Sequence, residues 1–206
     1  MTDSVSSPHA RQRGPADHAI RDQIVVAANE HFSHSGYAKT TVSDLAKAIG
    51  FSKAYIYKFF DSKQSIGEAI CTRCLGSIVD DVLAAIVDGE SATDRYRRMF
   101  KTIVSSSMKL FTAERKLYDI AAVATEENWQ STVNYDKKIR EILKQILMQG
   151  REAGEFERKT PLDETCRAIL LVMQPFVNPL MLQHNLARLS DGPGEVASLV
   201  LRSLSP

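Results

Sequence analysis

The chain has 206 residues, 44% of them hydrophobic and 25% charged, and a formal net charge of +1. That is the make-up of a globular protein with one substantial core or two small ones, and it excludes a domain basic enough to announce nucleic-acid binding by charge alone. Three irregularly spaced cysteines are too few for a disulfide framework, so a reducing compartment is expected. No run approaches the roughly 18 apolar residues of a membrane span, and residues 1–16 lack the apolar stretch of a signal peptide; a cytoplasmic protein without a membrane partner follows.

Residues 1–16 are rich in Ser, Pro, Gly and charge and read as a disordered tail. Arg11 and Arg13 there form either a solvated segment or a basic arm able to reach a minor groove. A first helix is predicted from about Asp17 to Ser35, with Ile20, Ile24, Ala27, Ala28 and Phe32 as its buried stripe and Gly36 as its end.

Residues 39–66 organise the rest. Val42, Leu45, Ala46 and Ile49 fall at i, i+3, i+4 and i+7, one apolar face of a helix. Thr41 and Asp44 have the spacing of a capping box. Gly50 ends that helix, and Ser52 can cap a second, Lys53 to Phe60. Ile56 and Phe60 turn inward, leaving an outer face with Lys53, Ala54, Tyr55, Tyr57 and Lys58. Two helices joined at a glycine, with a basic and aromatic outer face on the second, make a helix-turn-helix. The local charge agrees, since residues 39–63 carry five lysines against Asp44 and Asp61.

The run TTVSDLAKAIG, then FSKAYIYKFF, then DSKQSI resembles the DNA-binding domain of the TetR (tetracycline-repressor-like) family of bacterial transcriptional regulators. The Tyr57, Phe60 and Lys63 arrangement carries much of the likeness. Phe59 departs from it, because a histidine is usual there, which puts a polar contact from that position in doubt. Beyond this motif only length and helical character fit the family. Thr40, Thr41, Tyr57 and Lys63 are placed to hold phosphates, the resemblance supporting Tyr57 and Lys63 most. Ser43, Ser52, Lys53, Ala54, Tyr55 and Lys58 complete the candidate DNA surface. Lysine can donate to guanine, and Ala or Tyr can touch a thymine methyl.

A fourth helix starts at Ser62 or Lys63 and reaches about Val87, its apolar stripe broadening toward its end as it leaves a small domain for a larger one. Cys71 and Cys74 on it form C-x-x-C, either two small packing residues or a redox pair. Further helices are predicted to about Phe111, from Glu114 to Ala124, from a cap at Asn128 to about Ala153, from Pro161 to about Leu189 with interruptions near Pro175 and Pro179, and from Gly194 to Leu204. The fold class is therefore all-α. Its expected parts are the tail (1–16), a three-helix helix-turn-helix domain (17–66) and a helical ligand-binding and dimerisation bundle (67–206).

Catalytic and metal constellations and cofactor motifs are absent from this reading. The resemblance implies a homodimeric repressor that reads a near-palindromic operator in double-stranded DNA and is released by a small-molecule inducer. Dimerisation is expected through the last two helices, which are more apolar than a monomer surface needs. The inducer is expected to be apolar or amphipathic, with Met99, Phe100, Ile103, Trp129, Tyr135, Met173 and Phe176 as wall residues. The alternatives are a ligand-independent DNA-binding regulator and a small helical enzyme or redox protein using Cys71 and Cys74.

Overall fold

Two cores, bridged by one long helix, organise the structure, a computed structural model that describes residues 15–113 and 115–206. The tail to residue 14, with Arg11 and Arg13, lies outside the described residues. In chain order the elements are α1 (Pro15–Ser35), α2 (Val42–Ala48), α3 (Lys53–Ile56), α4 (Lys63–Val87) and α5 (Ala92–Ala113), then α6 (Arg115–Glu126), α7 (Gln130–Glu152), α8 (Leu162–Val177), α9 (Pro179–Leu182) and α10 (Gly192–Ser203). A 3-10 turn at Leu186–Arg188 joins the last two. The described residues are all-α, without a strand.

The first core gathers Ile24, Ala28 and Phe32 of α1, Leu45 of α2, Ile56 of α3 and Ile66 of α4, each fully shielded from solvent. Local chemistry sets the angle between α2 and α3. Thr41 and Asp44 form the capping box, the Asp44 amide donating to the Thr41 hydroxyl and the Thr41 amide to the carboxylate. At the other end Gly50 has φ +72°, the Phe51 amide donates to the Ala46 carbonyl and the Gly50 amide to that of Lys47. This double bond over a left-handed glycine is a Schellman stop. Two residues on, the Ser52 hydroxyl accepts from the Tyr55 amide and starts α3. The regular part of α3 ends at Ile56, earlier than the predicted Phe60. Residues 57–59 continue as turns, which lets Phe59 and Phe60 both enter the core.

Helix α4 passes from the first core, through Ile66 and Ile70, into the second, through Val79 and Val82. At 25 residues it is about 37 Å long, enough to reach across both. The second core is built on Tyr96, Met99, Phe100 and Ile103 of α5, with Leu143 and Ile146 of α7 and Met173 of α8. The cores do not meet at residue 66: Ile120 and Ala124 of α6 and Trp129 pack into the first one.

Two carboxylates far off in sequence cap helices here. Glu68 on α4 accepts from the amides of Gln130 and Ser131 at the start of α7, at 2.8 and 2.9 Å. Glu155 accepts from those of Ala92 and Thr93 at the start of α5, at 2.9 and 3.1 Å. The predicted cap Asn128 is instead a turn residue with φ +52°, and Trp129 is the N-cap of α7 without a side-chain capping bond. α8 continues through Pro175 to Val177. The break falls at Asn178, whose side chain accepts from the Leu180 amide and restarts the chain as α9.

Candidate functional site

The outer face of the helix-turn-helix is set by what α3 buries. Ile56 goes inward, and Ser52, Lys53, Ala54, Tyr57 and Lys58 are left exposed on one side. Lys53 Nζ lies 5.8 Å from the Tyr57 ring centroid and Lys58 Nζ 5.4 Å from that of Tyr55, so two cations are carried on aromatic faces. Ser43 of α2 is half-buried. Tyr55 is half-buried in an aromatic row between Phe51 and Phe59, at centroid distances of 5.0 and 5.4 Å. Phe59 closes that row from the core side, which is a physical reason for an apolar ring at that position.

Thr40 requires a correction. It is only 3% exposed, and its hydroxyl donates to the Gly36 carbonyl at 2.8 Å. It ties down the loop between α1 and α2 and has no surface to offer a phosphate. The Thr41 hydroxyl, though exposed, already donates to Asp44 at 2.6 Å. A hydroxyl has one proton to donate, so in this arrangement Thr41 caps rather than grips.

Lys63 opens α4 with its Nζ donating to the Tyr37 carbonyl at 3.1 Å and lying 4.4 Å from the Tyr37 ring centroid. The phenol of Tyr37 is pushed up to about 12, first by burial and then by Glu127. Its ring meets Trp129 edge-on at 5.6 Å. The Trp129 indole lies against Gly67 and donates through Nε1 to Glu127 at 2.7 Å. A continuous row of contacts thus joins Lys63, at the candidate DNA face, to the first residues of α7.

Beyond α7's start a cleft opens in two chambers, of about 140 and about 240 Å³, beside the α8–α9 break. The inner chamber is walled by Leu75 and Ile78 of α4, Leu110 of α5, Tyr118 of α6, Thr132 of α7 and Pro179 of α9. The outer one is walled by Ile103, Ile139, Arg140, Arg167 and Met173. Tyr135, Asp136, Gln174 and Val177 belong to both. Tyr118 is fixed from behind, its hydroxyl donating to the Pro179 carbonyl at 2.7 Å.

Of the predicted wall residues, Ile103, Tyr135 and Met173 stand on this cleft. Four do not. Met99 and Phe100 are at most 1% exposed where α5 packs into the second core. Phe176 fills the close approach of α8 and α10, where a Cβ on Gly192 would come within 2.5 Å of its ring. Trp129 belongs to the first core. Periodicity marks these four as inward but cannot say which inward positions meet a neighbour and which meet a gap. Sequence reading missed Asp136, Gln174, Arg140 and Arg167, polar residues on an amphipathic pattern that look like solvated face until α8 is laid beside α7.

The Cys71 thiol is buried and pushed up to about 12, first by desolvation and then by Cys74 and Glu68. A reactive cysteine needs the reverse shift, so the redox alternative has no support at this position. No helix among the described residues is long and apolar enough to cross a membrane.

Residues 24–70 match the family described as bacterial regulatory proteins, tetR family. Residues 92–193 match the tetracyclin repressor-like C-terminal domain. The chain is 31% identical over 84 residues to the biofilm operon icaADBC HTH-type negative transcriptional regulator IcaR of Staphylococcus epidermidis, a match covering 41% of this chain and 45% of IcaR, less than half of that relative's length. It is 29% identical over 158 residues to the nucleoid occlusion factor SlmA of Aliivibrio fischeri, covering 75% of this chain and 79% of SlmA. Among solved structures, the fold is shared with the transcriptional regulator FadR of Bacillus subtilis in complex with stearoyl-CoA, at TM-score 0.66 and 21% identity over 89% of this chain and 98% of that one. It is also shared with the TetR family transcriptional regulator PfmR of Thermus thermophilus, at TM-score 0.57 and 25% identity over 90% and 100% of the two chains.

Proposed function

We propose that this chain, which belongs to the TetR family of bacterial regulatory proteins, is a sequence-specific repressor. It acts as a homodimer on near-palindromic operator DNA and is released by an apolar or amphipathic small molecule. The observation that carries the DNA-binding part is the division of labour in α3. Ile56 is fully buried and holds the helix, while Lys53 and Ala54 on it, and Tyr57 and Lys58 in the turns that continue it, are exposed. A helix so held can enter a major groove, with lysines for guanine or phosphate and Ala and Tyr for apolar base edges.

An apolar face supports the dimer. On α8 Leu171 is 70% and Val172 44% exposed, and on α10 Leu199 is 59% exposed. Paired with the same face of a second copy, these residues would be buried in a symmetric interface, which would space two reading heads along one duplex.

Release follows from a rigid path. The cleft walls include Leu75 and Ile78 of α4 and Thr132 of α7. Glu68 and Trp129 fasten the start of α7 to α4 close to Lys63. A ligand wedged between α4 and α7 would turn α4 and change the separation of the two recognition helices, provided it binds the released state more tightly. The test is selection of bound sequences from a random DNA pool, expected to return a near-palindrome. The protein on that site is then screened for small molecules that release it. A pool without enrichment would refute the sequence-specific reading. A selected operator that no cleft-binding compound releases would favour the ligand-independent regulator.

A further inference from the structure

We infer that the cleft takes a cationic amphiphile, an amine whose charged nitrogen is held at Asp136 while its apolar part runs inward along α7 toward Thr132. This rests on the reading of the cleft as an inducer site and adds the ligand's chemical class.

The position of Asp136 carries the argument. It stands where the two chambers meet, on a wall they share with Tyr135 and Gln174. Asp136 is itself exposed and lies open to the cleft; the protein around it still raises its carboxyl above the ordinary aspartate range by partial desolvation, a rise that Arg140 only partly offsets. Arg140 has the i+4 spacing of a helical ion pair with it. Even so, among the described residues Asp136 makes no hydrogen bond and no ion pair within 4.0 Å. Tyr135 beside it is half-buried with no hydrogen bond from its phenol. Among the described residues, an acceptor and a ring thus line both chambers with no hydrogen bond made by either.

Among the described residues the other charges at the cleft are Arg140 and Arg167, exposed as Asp136 is, and both border the outer chamber alone. Among the described residues Asp136 is the one charged residue that lines the inner chamber, whose other described walls are apolar or neutral polar. An anionic head at the waist would face Asp136 as a like charge. A cation there neutralises the carboxylate and lies beside Tyr118 and Tyr135. From Asp136 inward to Thr132 the wall of α7 advances four residues, about 6 Å, so a longer tail has to turn from α7 toward Tyr118 and Pro179 on the other walls of the inner chamber.

The experiment compares decylammonium, decanol and decanoate, three ligands with one tail and three heads. Calorimetric titration of the full chain, below micelle-forming concentrations, measures binding, and operator release is followed in parallel. Decylammonium is expected to bind roughly tenfold more tightly than decanol, and decanoate more weakly than either. Asp136→Asn should erase the advantage of the amine over decanol, with an unchanged circular-dichroism spectrum and melting temperature as the control for folding. Tightest binding by decanoate, lost in Arg140→Ala or Arg167→Ala, would overturn the inference in favour of an anionic ligand. Equal binding of all three, or of none, would overturn it too. Binding of the amine without operator release would leave the site standing and remove its role as inducer site. Release by all three heads alike would do the reverse.

Discussion

The indole of Trp129 lies so close over Gly67 that a Cβ there would be 2.8 and 2.9 Å from two of its ring carbons, with Tyr37 at 3.2 Å on the same side. Gly67 is one turn into α4, so an absent side chain lets the start of α7 rest on the helix that leaves the DNA-binding half. The Glu68 carboxylate next to it then holds the first amides of α7. Packing and capping secure one junction from neighbouring positions.

Gly67→Ala sets two known effects against each other. Alanine in a helix interior gains about 1 kcal/mol over glycine. Overpacking against a rigid ring costs about 1–3 kcal/mol, and neither Trp129 nor Tyr37 can swing away as a flexible chain end would. The clash is expected to win and lower the melting temperature by roughly 2–6 °C. A thermal melt checks it, and an unchanged or raised melting point would mean that the indole moves freely.

Lys53 and Lys63 should respond differently to truncation. Lys53→Ala, on the free face of α3, should change which bases are preferred, at about 1–3 kcal/mol for the favoured site. Lys63→Ala should weaken binding to all sequences alike, reduce the salt slope by about one unit and also loosen the loop whose Tyr37 carbonyl it holds. Titrations on two operators at several salt concentrations separate the two. Uniform loss from Lys53→Ala would place that side chain on the phosphates instead.

Glu155 predicts part of the acid sensitivity. Burial opposes its ionisation, but the amides of Ala92 and Thr93 outweigh that and hold its carboxyl below the ordinary glutamate value of 4.5. A folded-state value below the unfolded one means that stability is fully present above about pH 4.5 and is lost as pH falls through the lower, folded value. Glu155→Gln should therefore flatten the acid limb of a stability–pH curve and lower the plateau near neutrality. An acid limb unchanged in the variant would assign the sensitivity elsewhere.

Leu199→Glu and Val172→Glu place charges on the exposed apolar face of α10 and α8. Each is expected to convert a dimer to monomer in sedimentation, because two like charges would face each other across a symmetric contact, and to weaken operator binding through loss of the second reading head. Secondary structure should persist, since neither side chain belongs to a core. A dimer surviving both changes would move the interface off this face.

Much of the DNA-binding half was legible in residue order alone because its signals are local. The Thr41–Asp44 box, the Gly50 stop and the Ser52 cap each act within a few residues, and the i, i+3, i+4 pattern marks what turns inward. Thr40 shows where such reading ends. Beside Thr41 in sequence it looks like a second surface hydroxyl, but only the folded path of the loop brings it to the Gly36 carbonyl and seals it. The cleft is harder still, because it depends on which inward faces fail to touch. Met99, Phe100 and Ile103 share one stripe of α5, yet only Ile103 borders the cleft. Asp136 stays exposed in the fold, and only the placing of α8 alongside makes it a wall of the cleft. Helices and caps are decided by near neighbours along the chain. Gaps, and caps such as Glu68 on α7, are decided by residues many turns away, and only tertiary packing brings them together.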